Sequence, residues 1–122
     1  MEELAVTLEI PAGCADAAIV HVSGEVSISN YRDLLVPLES SSNDAIKWWV
    51  LDMSGCGFLS SAGLSAILRG VNRAKQRGGA LVLAEMSPRL QSMMKVAGLA
   101  DVIPHFDTVE EALKSFGEGQ SP

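Results

Sequence analysis

The stretch Leu51-Asp52-Met53-Ser54-Gly55-Cys56-Gly57-Phe58-Leu59-Ser60-Ser61-Ala62-Gly63-Leu64 decides how the chain is read. It continues Ile46-Lys47-Trp48-Trp49-Val50, and residues 46–53 are too apolar for a strand with one face in water. They mark a central strand covered on both sides. Gly55-Cys56-Gly57 reads as a turn within a short connecting loop. A long helix then begins near Ser61 or Ala62, with Leu64, Ile67, Leu68 and Val71 facing the core, and stops at Gly78-Gly79.

Upstream, Leu4-Ala5-Val6-Thr7-Leu8-Glu9-Ile10 alternates, which places Leu4, Val6, Leu8 and Ile10 on one face of a strand. Pro11-Ala12-Gly13 breaks it, and Ala18-Ile19-Val20-His21-Val22-Ser23-Gly24 returns as its antiparallel hairpin partner. Ser29 or Asn30 caps a helix whose stripe is Tyr31, Leu34, Leu35 and Leu38, with Pro37 bending or shortening it. Ser40-Ser41-Ser42-Asn43-Asp44 is a loop. Downstream, Ala80-Leu81-Val82-Leu83-Ala84 is a buried strand, and Ser87-Pro88 opens a helix with Leu90, Met93, Met94 and Ala97 inward. Val102-Ile103-Pro104-His105-Phe106 is a short edge strand, because Pro104 cannot donate to a ladder. Asp107 or Thr108 caps a last helix carrying Val109, Ala112, Leu113 and Phe116. The order β-β-α-β-α-β-α-β-α predicts a single α/β domain over residues 1–117, with a mixed, mainly parallel sheet and a flexible polar tail at 118–122. Arg69, Arg73 and Arg77, at i, i+4 and i+8, read as a solvated helix face.

Composition narrows the function. A chain of 122 residues, 48% hydrophobic, is long enough to bury a core without metals or disulfides. Its formal net charge of -6 argues against nonspecific nucleic-acid binding, which needs clustered cations. No apolar run approaches the ~20 residues that span a bilayer, and Met1-Glu2-Glu3 lacks the basic start of a signal peptide, so a cytoplasmic location is expected. Cys14 and Cys56 are isolated, without metal-ligand spacing, and read as small buried hydrophobes. No nucleophile elbow, phosphate-binding glycine loop or metal motif occurs, so neither metal, cofactor nor catalytic residue is expected. His21 and His105 fall on strands and read as partly buried or surface residues. Asp52, at the expected end of the central strand, is either a functional group beyond the sheet or a carboxylate bonding loop amides.

Ser60 and Ser61 are the chemically distinctive pair. A hydroxyl at a helix start is ordinarily an N-cap. A phosphate attached there is tolerated by the unpaired N–H groups and positive dipole end, yet adds about -1.5 to -2 charge to the surface.

The order of elements and this segment together resemble the STAS family, the sulphate-transporter and anti-sigma-factor-antagonist domains, over nearly the whole chain. Val22-Ser23-Gly24-Glu25-Val26 is similar to the family's second strand and Gly-Glu turn, Val50-Leu51-Asp52-Met53-Ser54 to its central strand, and Phe58 to Leu64 to its signature loop and helix start. Gly78-Gly79, Ser87-Pro88 and Ala97-Gly98-Leu99 match later landmarks. The resemblance implies a non-enzymatic anti-sigma factor antagonist that works by partner switching. Unphosphorylated, it would bind a serine kinase of histidine-kinase-like ATPase fold that doubles as anti-sigma factor. Phosphorylated on Ser61, it would be released, and a PP2C-type phosphatase would reset it. The family usually has Asp before the phosphoacceptor. Here Ser60 stands in that place, which leaves Ser60 open as an alternative acceptor. Ser60, Ser61, Ala62, Gly63 and Leu64 would form the partner surface, with Asp52, Ser29 and Asn30 as further candidates at the same end of the sheet. A monomer is expected. Two other readings stand beside this one: an accessory subunit of a transport ATPase complex without phosphorylation, and a small serine hydrolase using Ser61.

Overall fold

The computed structural model describes residues 3–13 and 16–120, with side chains described through residue 116. Five strands form one sheet in the order β1-β2-β3-β4-β5: β1 (Ala5–Glu9), β2 (Ala17–Val26), β3 (Trp48–Leu59), β4 (Ala80–Ala84) and β5 (His105–Phe106). β1 runs antiparallel to β2 and every other pairing is parallel, so the sheet is mixed and mainly parallel, with the antiparallel hairpin expected of the first two strands. The helices are α1 (Tyr31–Glu39), α2 (Ser61–Gln76), α3 (Pro88–Val96) and α4 (Val109–Gln120). Residues 118–120 of the expected tail thus lie within α4, while 121–122, like Cys14, lie outside the described residues. No described helix is long and apolar enough to cross a membrane.

Strand alternation divides the core into two layers. Val20, Val22, Leu51, Met53, Leu81 and Leu83 face one side, where α1, α2 and α3 cover them with Leu34, Leu38, Ile67, Val71, Leu90 and Met94. Ile19, Val50, Val82 and Ala84 face the other side, beneath Ala112 and Phe116 of α4. Leu4 and Val6 pack on the first layer as the alternation requires. Leu8 and Ile10, expected on the same face, are exposed, and Ile10 lies just past the end of β1.

β3 departs most from the sequence expectation. Residues 54–59 are not a loop, and Gly55-Cys56-Gly57 is not a turn: all continue the strand. β2 runs on to Val26 and supplies the partner, pairing Gly24 with Cys56, Glu25 with Phe58 and Val26 with Leu59. Register shifts between His21 and Ser23 and between Gly24 and Glu25 absorb the mismatch. A Cβ at Gly55 would sit 3.1 Å from the Ser23 Cβ, so glycine here marks a close strand approach rather than a chain reversal. Cys56 is buried, and its Sγ donates to the Phe58 carbonyl. Burial, the largest influence, pushes its thiol above its ordinary pKa and keeps it inert.

The arginine stripe on α2 is a solvated face at Arg69 but not at Arg77. Arg69 binds both carboxylate oxygens of Glu39, and Arg73 pairs with Asp44. The Arg77 side chain is only 5% exposed. It donates to the carbonyls of Leu38 and Ser40 and to Asp44, while lying 5.6 Å from the Trp49 ring centroid. These contacts fasten the end of α2 to the connection between α1 and β3. Replacing Arg77 by Ala takes the side-chain donor from the Leu38 carbonyl, while the Ser40 carbonyl keeps the Asn43 N–H, and should lower stability by about 1 to 3 kcal/mol in urea unfolding, whereas Arg69→Ala, which breaks an exposed pair, should cost under about 1 kcal/mol.

Candidate partner-binding site

The site is built where β2 and β3 end side by side. The Ser60 N–H donates to the Val26 carbonyl at 2.9 Å, which sets the point at which the chain leaves the sheet. Ser60 is extended, with φ -79° and ψ 176°, and its Oγ accepts from the Gly63 N–H at 3.3 Å. It is therefore the N-cap of α2. Gly63 follows from packing: a Cβ there would lie 3.0 Å from Val26 Cγ1 and 3.2 Å from Leu59 Cδ2, so glycine seats the first turn of α2 on the strand ends without displacing those side chains. Ser61, the first helical residue, is exposed, and none of the described residues hydrogen-bonds its hydroxyl. Two adjacent serines thus have different duties. Ser60 is spent on the helix start, and Ser61 faces solvent.

Ser29 and Asn30 arrive at the same end of the sheet, because α1 follows directly on β2. Contrary to the sequence expectation, neither side chain donates or accepts a capping bond at the start of α1. The Asn30 Oδ1 accepts from the Ser27 N–H at 2.8 Å and its Nδ2 donates to the Glu25 carbonyl at 2.9 Å, so the amide ties the turn back to β2. Ser29 Oγ instead pairs with Ser27 Oγ at 2.8 Å. Ala62 and Leu64 are half-buried in the first turn of α2.

Asp52 does not belong to this site. It lies inside β3, eight residues before Ser60 and thus roughly 20 to 25 Å away along the strand. It occupies the sheet face of Val50, opposite the layer that carries α2. The Asp52 Oδ1 accepts from the Ser54 N–H at 3.0 Å, and its Oδ2 from His21 Nδ1 at 2.6 Å. The bonding to a nearby amide expected of it is present, but within a strand rather than a loop.

Residues not singled out in the sequence complete the surface. Ile28, just before α1, is 75% exposed, and Val96 of α3 is 90% exposed. Leu64 joins Arg89, Ser92, Met93, Val96 and Ala97 around a mainly apolar groove of about 410 Å³ between α2 and α3. Val96 lies off the apolar stripe of its own helix, and that misplaced valine was the available signal. Ala97, expected in the stripe, is instead exposed as the α3 C-cap.

Fold and site together define a small α/β domain that presents a free hydroxyl at a helix start beside an apolar groove. The chain belongs to the STAS domain family, whose profile matches residues 5–112. It is 28% identical over 98 residues to BtrV of Bordetella bronchiseptica, named as an anti-sigma factor antagonist, covering 80% of this chain and 84% of that one. To the anti-sigma-B factor antagonist of Bacillus subtilis it is 30% identical over 87 residues, covering 69% and 76%. The structure of the Bacillus cell fate determinant SpoIIAA in the phosphorylated form superposes with a TM-score of 0.68 at 18% identity, covering 91% of this chain and 98% of that one.

The two serines are separable by stability. Ser60→Ala should cost about 1 kcal/mol in chemical unfolding through loss of the cap, while Ser61→Ala should fall within about 0.5 kcal/mol of the parent chain.

Proposed function

We propose that this domain is an anti-sigma factor antagonist switched by phosphorylation of Ser61. The observation that carries the reading is the division of labour at the start of α2: the Ser60 hydroxyl is engaged as cap, and the Ser61 hydroxyl is exposed and free to react. The names of the two curated relatives support the same function. In its unmodified form the domain would dock an anti-sigma factor that is also a serine kinase of histidine-kinase-like ATPase fold, using Ser61, Ala62, Leu64 and the turn at Ser29 and Asn30. Transfer of the γ-phosphoryl group from ATP to Ser61 Oγ would place about -1.5 to -2 charge on the docking surface and release the complex. A PP2C-type phosphatase would restore the hydroxyl. The domain itself performs no catalysis in this scheme, which operates in the cytoplasm.

The N-terminal N–H groups of α2 and its dipole make a phosphate compatible with the fold, so modification would change binding rather than unfold the domain. A coupling of about 1 to 3 kcal/mol corresponds to a 5- to 150-fold change in affinity. Incubation with the cognate kinase and ATP, followed by mass spectrometric mapping, should locate phosphate on Ser61 and lose it in Ser61→Ala. Ser61→Asp should weaken kinase binding by about tenfold or more. Phosphate on neither Ser60 nor Ser61, with an unmodified complex to a transport ATPase instead, would overturn the proposal.

A further inference from the structure

On the sheet face away from the switch, His21 of β2 stands between two carboxylates. Its Nδ1 lies 2.6 Å from Asp52 Oδ2 on β3, and its Nε2 lies 2.7 Å from Glu9 Oε1 on β1. We propose that Glu9, His21 and Asp52 form a proton-held clamp that fastens the edge strand β1 to the centre of the sheet.

The argument begins with donor inventory. An ionised carboxylate only accepts, and a neutral imidazole has one N–H and one lone pair. With both carboxylates ionised, two short contacts from one ring are satisfied only when both ring nitrogens carry protons. The anchoring half is Asp52. Burial opposes its ionisation, but the hydrogen bonds from the Ser54 backbone and from His21 outweigh it and hold the carboxyl below its ordinary pKa. The releasable half is Glu9, whose side chain is 56% exposed at the last residue of β1. If His21 loses a proton, it keeps its bond to Asp52 and turns a lone pair toward Glu9. Two acceptors then face each other, and the Glu9 carboxylate swings into water.

The hydrogen bond to Glu9 raises the His21 pKa most; burial opposes it, and the bond to and charge of Asp52 add to the rise. The charged groups acting on the ring are thus Glu9 from β1 and Asp52 from β3, both anionic. On α4, which covers this face over β3 and β4, the cation Lys114 lies 3.7 Å from Glu110. Because the folded-state value is raised, the clamp's contribution is full below the ordinary value of about 6.5 and is lost as pH climbs through the folded value. β1 is an edge strand whose final stretch, at Leu8 and the following Ile10, is exposed, so this bond restrains an open edge of the sheet.

The test uses the full chain and nitrogen-15 NMR of the His21 ring. Both ring nitrogens should be protonated at pH 6.5, with a midpoint above that of a free histidine. Glu9→Gln, at an exposed position, should lower the midpoint by about half a unit or more. Hydrogen exchange at the β1 amides paired with β2, corrected for intrinsic rates, should accelerate severalfold as pH passes the midpoint, and His21→Gln should remove that step. A midpoint at or below the free value, or one unmoved by Glu9→Gln, overturns the clamp. Phosphorylation at Ser61 should be the same in both variants, so failure of either proposal is read independently of the other.

Discussion

The extension of β2 to Val26 beside Leu59 of β3 is the constraint on which the rest of this structure depends. It carries the two strands past the end of β4, whose pairing with β3 stops at Asp52 and Ala84. The Val26 carbonyl then receives the Ser60 N–H, and the Val26 side chain receives the first turn of α2. Were β3 to end near Met53, the helix start would sit level with the other strand ends, and the turn at Ser29 and Asn30 would not lie beside it. The paired extension makes a platform from which two helix starts project together.

Much of this was legible locally. The apolar run before Asp52, the stripes of α1 and α2 and the Ser87-Pro88 helix start are short-range signals, and each corresponds to an observed element. The placement of Ser60 and Ser61 at a helix start was legible for the same reason. What the local signal lacked was the partner strand. Gly55 and Gly57 are poor strand formers, and only the bulged neighbour β2 explains why the chain stays extended through them. Arg77 was misread on similar grounds. Its helical spacing says outer face, but the carbonyls of Leu38 and Ser40 that bury it lie in a segment almost forty residues earlier.

The same limit applied to His21 and Asp52. Each was visible as an ionisable residue on a strand, and nothing near either in sequence predicts the other. Their meeting is a consequence of register: β2 and β3 pair in parallel with His21 opposite Asp52, and alternation turns both toward the same face. Glu9 joins from the antiparallel side, where its own backbone partner is Ile19 and its side chain reaches the next residue along on that face. Long-range chemistry of this kind becomes readable only after the sheet order is known.

The two faces also separate two kinds of charge. The clamp holds one cation between two anions within a small area, so a proton moved there acts on β1 and little else. At the start of α2 a phosphate would add to a chain already at -6, a modest change in the total. At physiological ionic strength its field fades over about 8 Å, which confines its effect to groups that touch the helix start. Leu64 brings the apolar groove of α3 within that neighbourhood, and Arg89 on the groove rim is a cation a bound partner would meet there. A partner burying this surface must desolvate whatever Ser61 carries. A hydroxyl is inexpensive to cover and a dianion is not, so the affinity change follows from where Ser61 sits rather than from the charge of the protein as a whole.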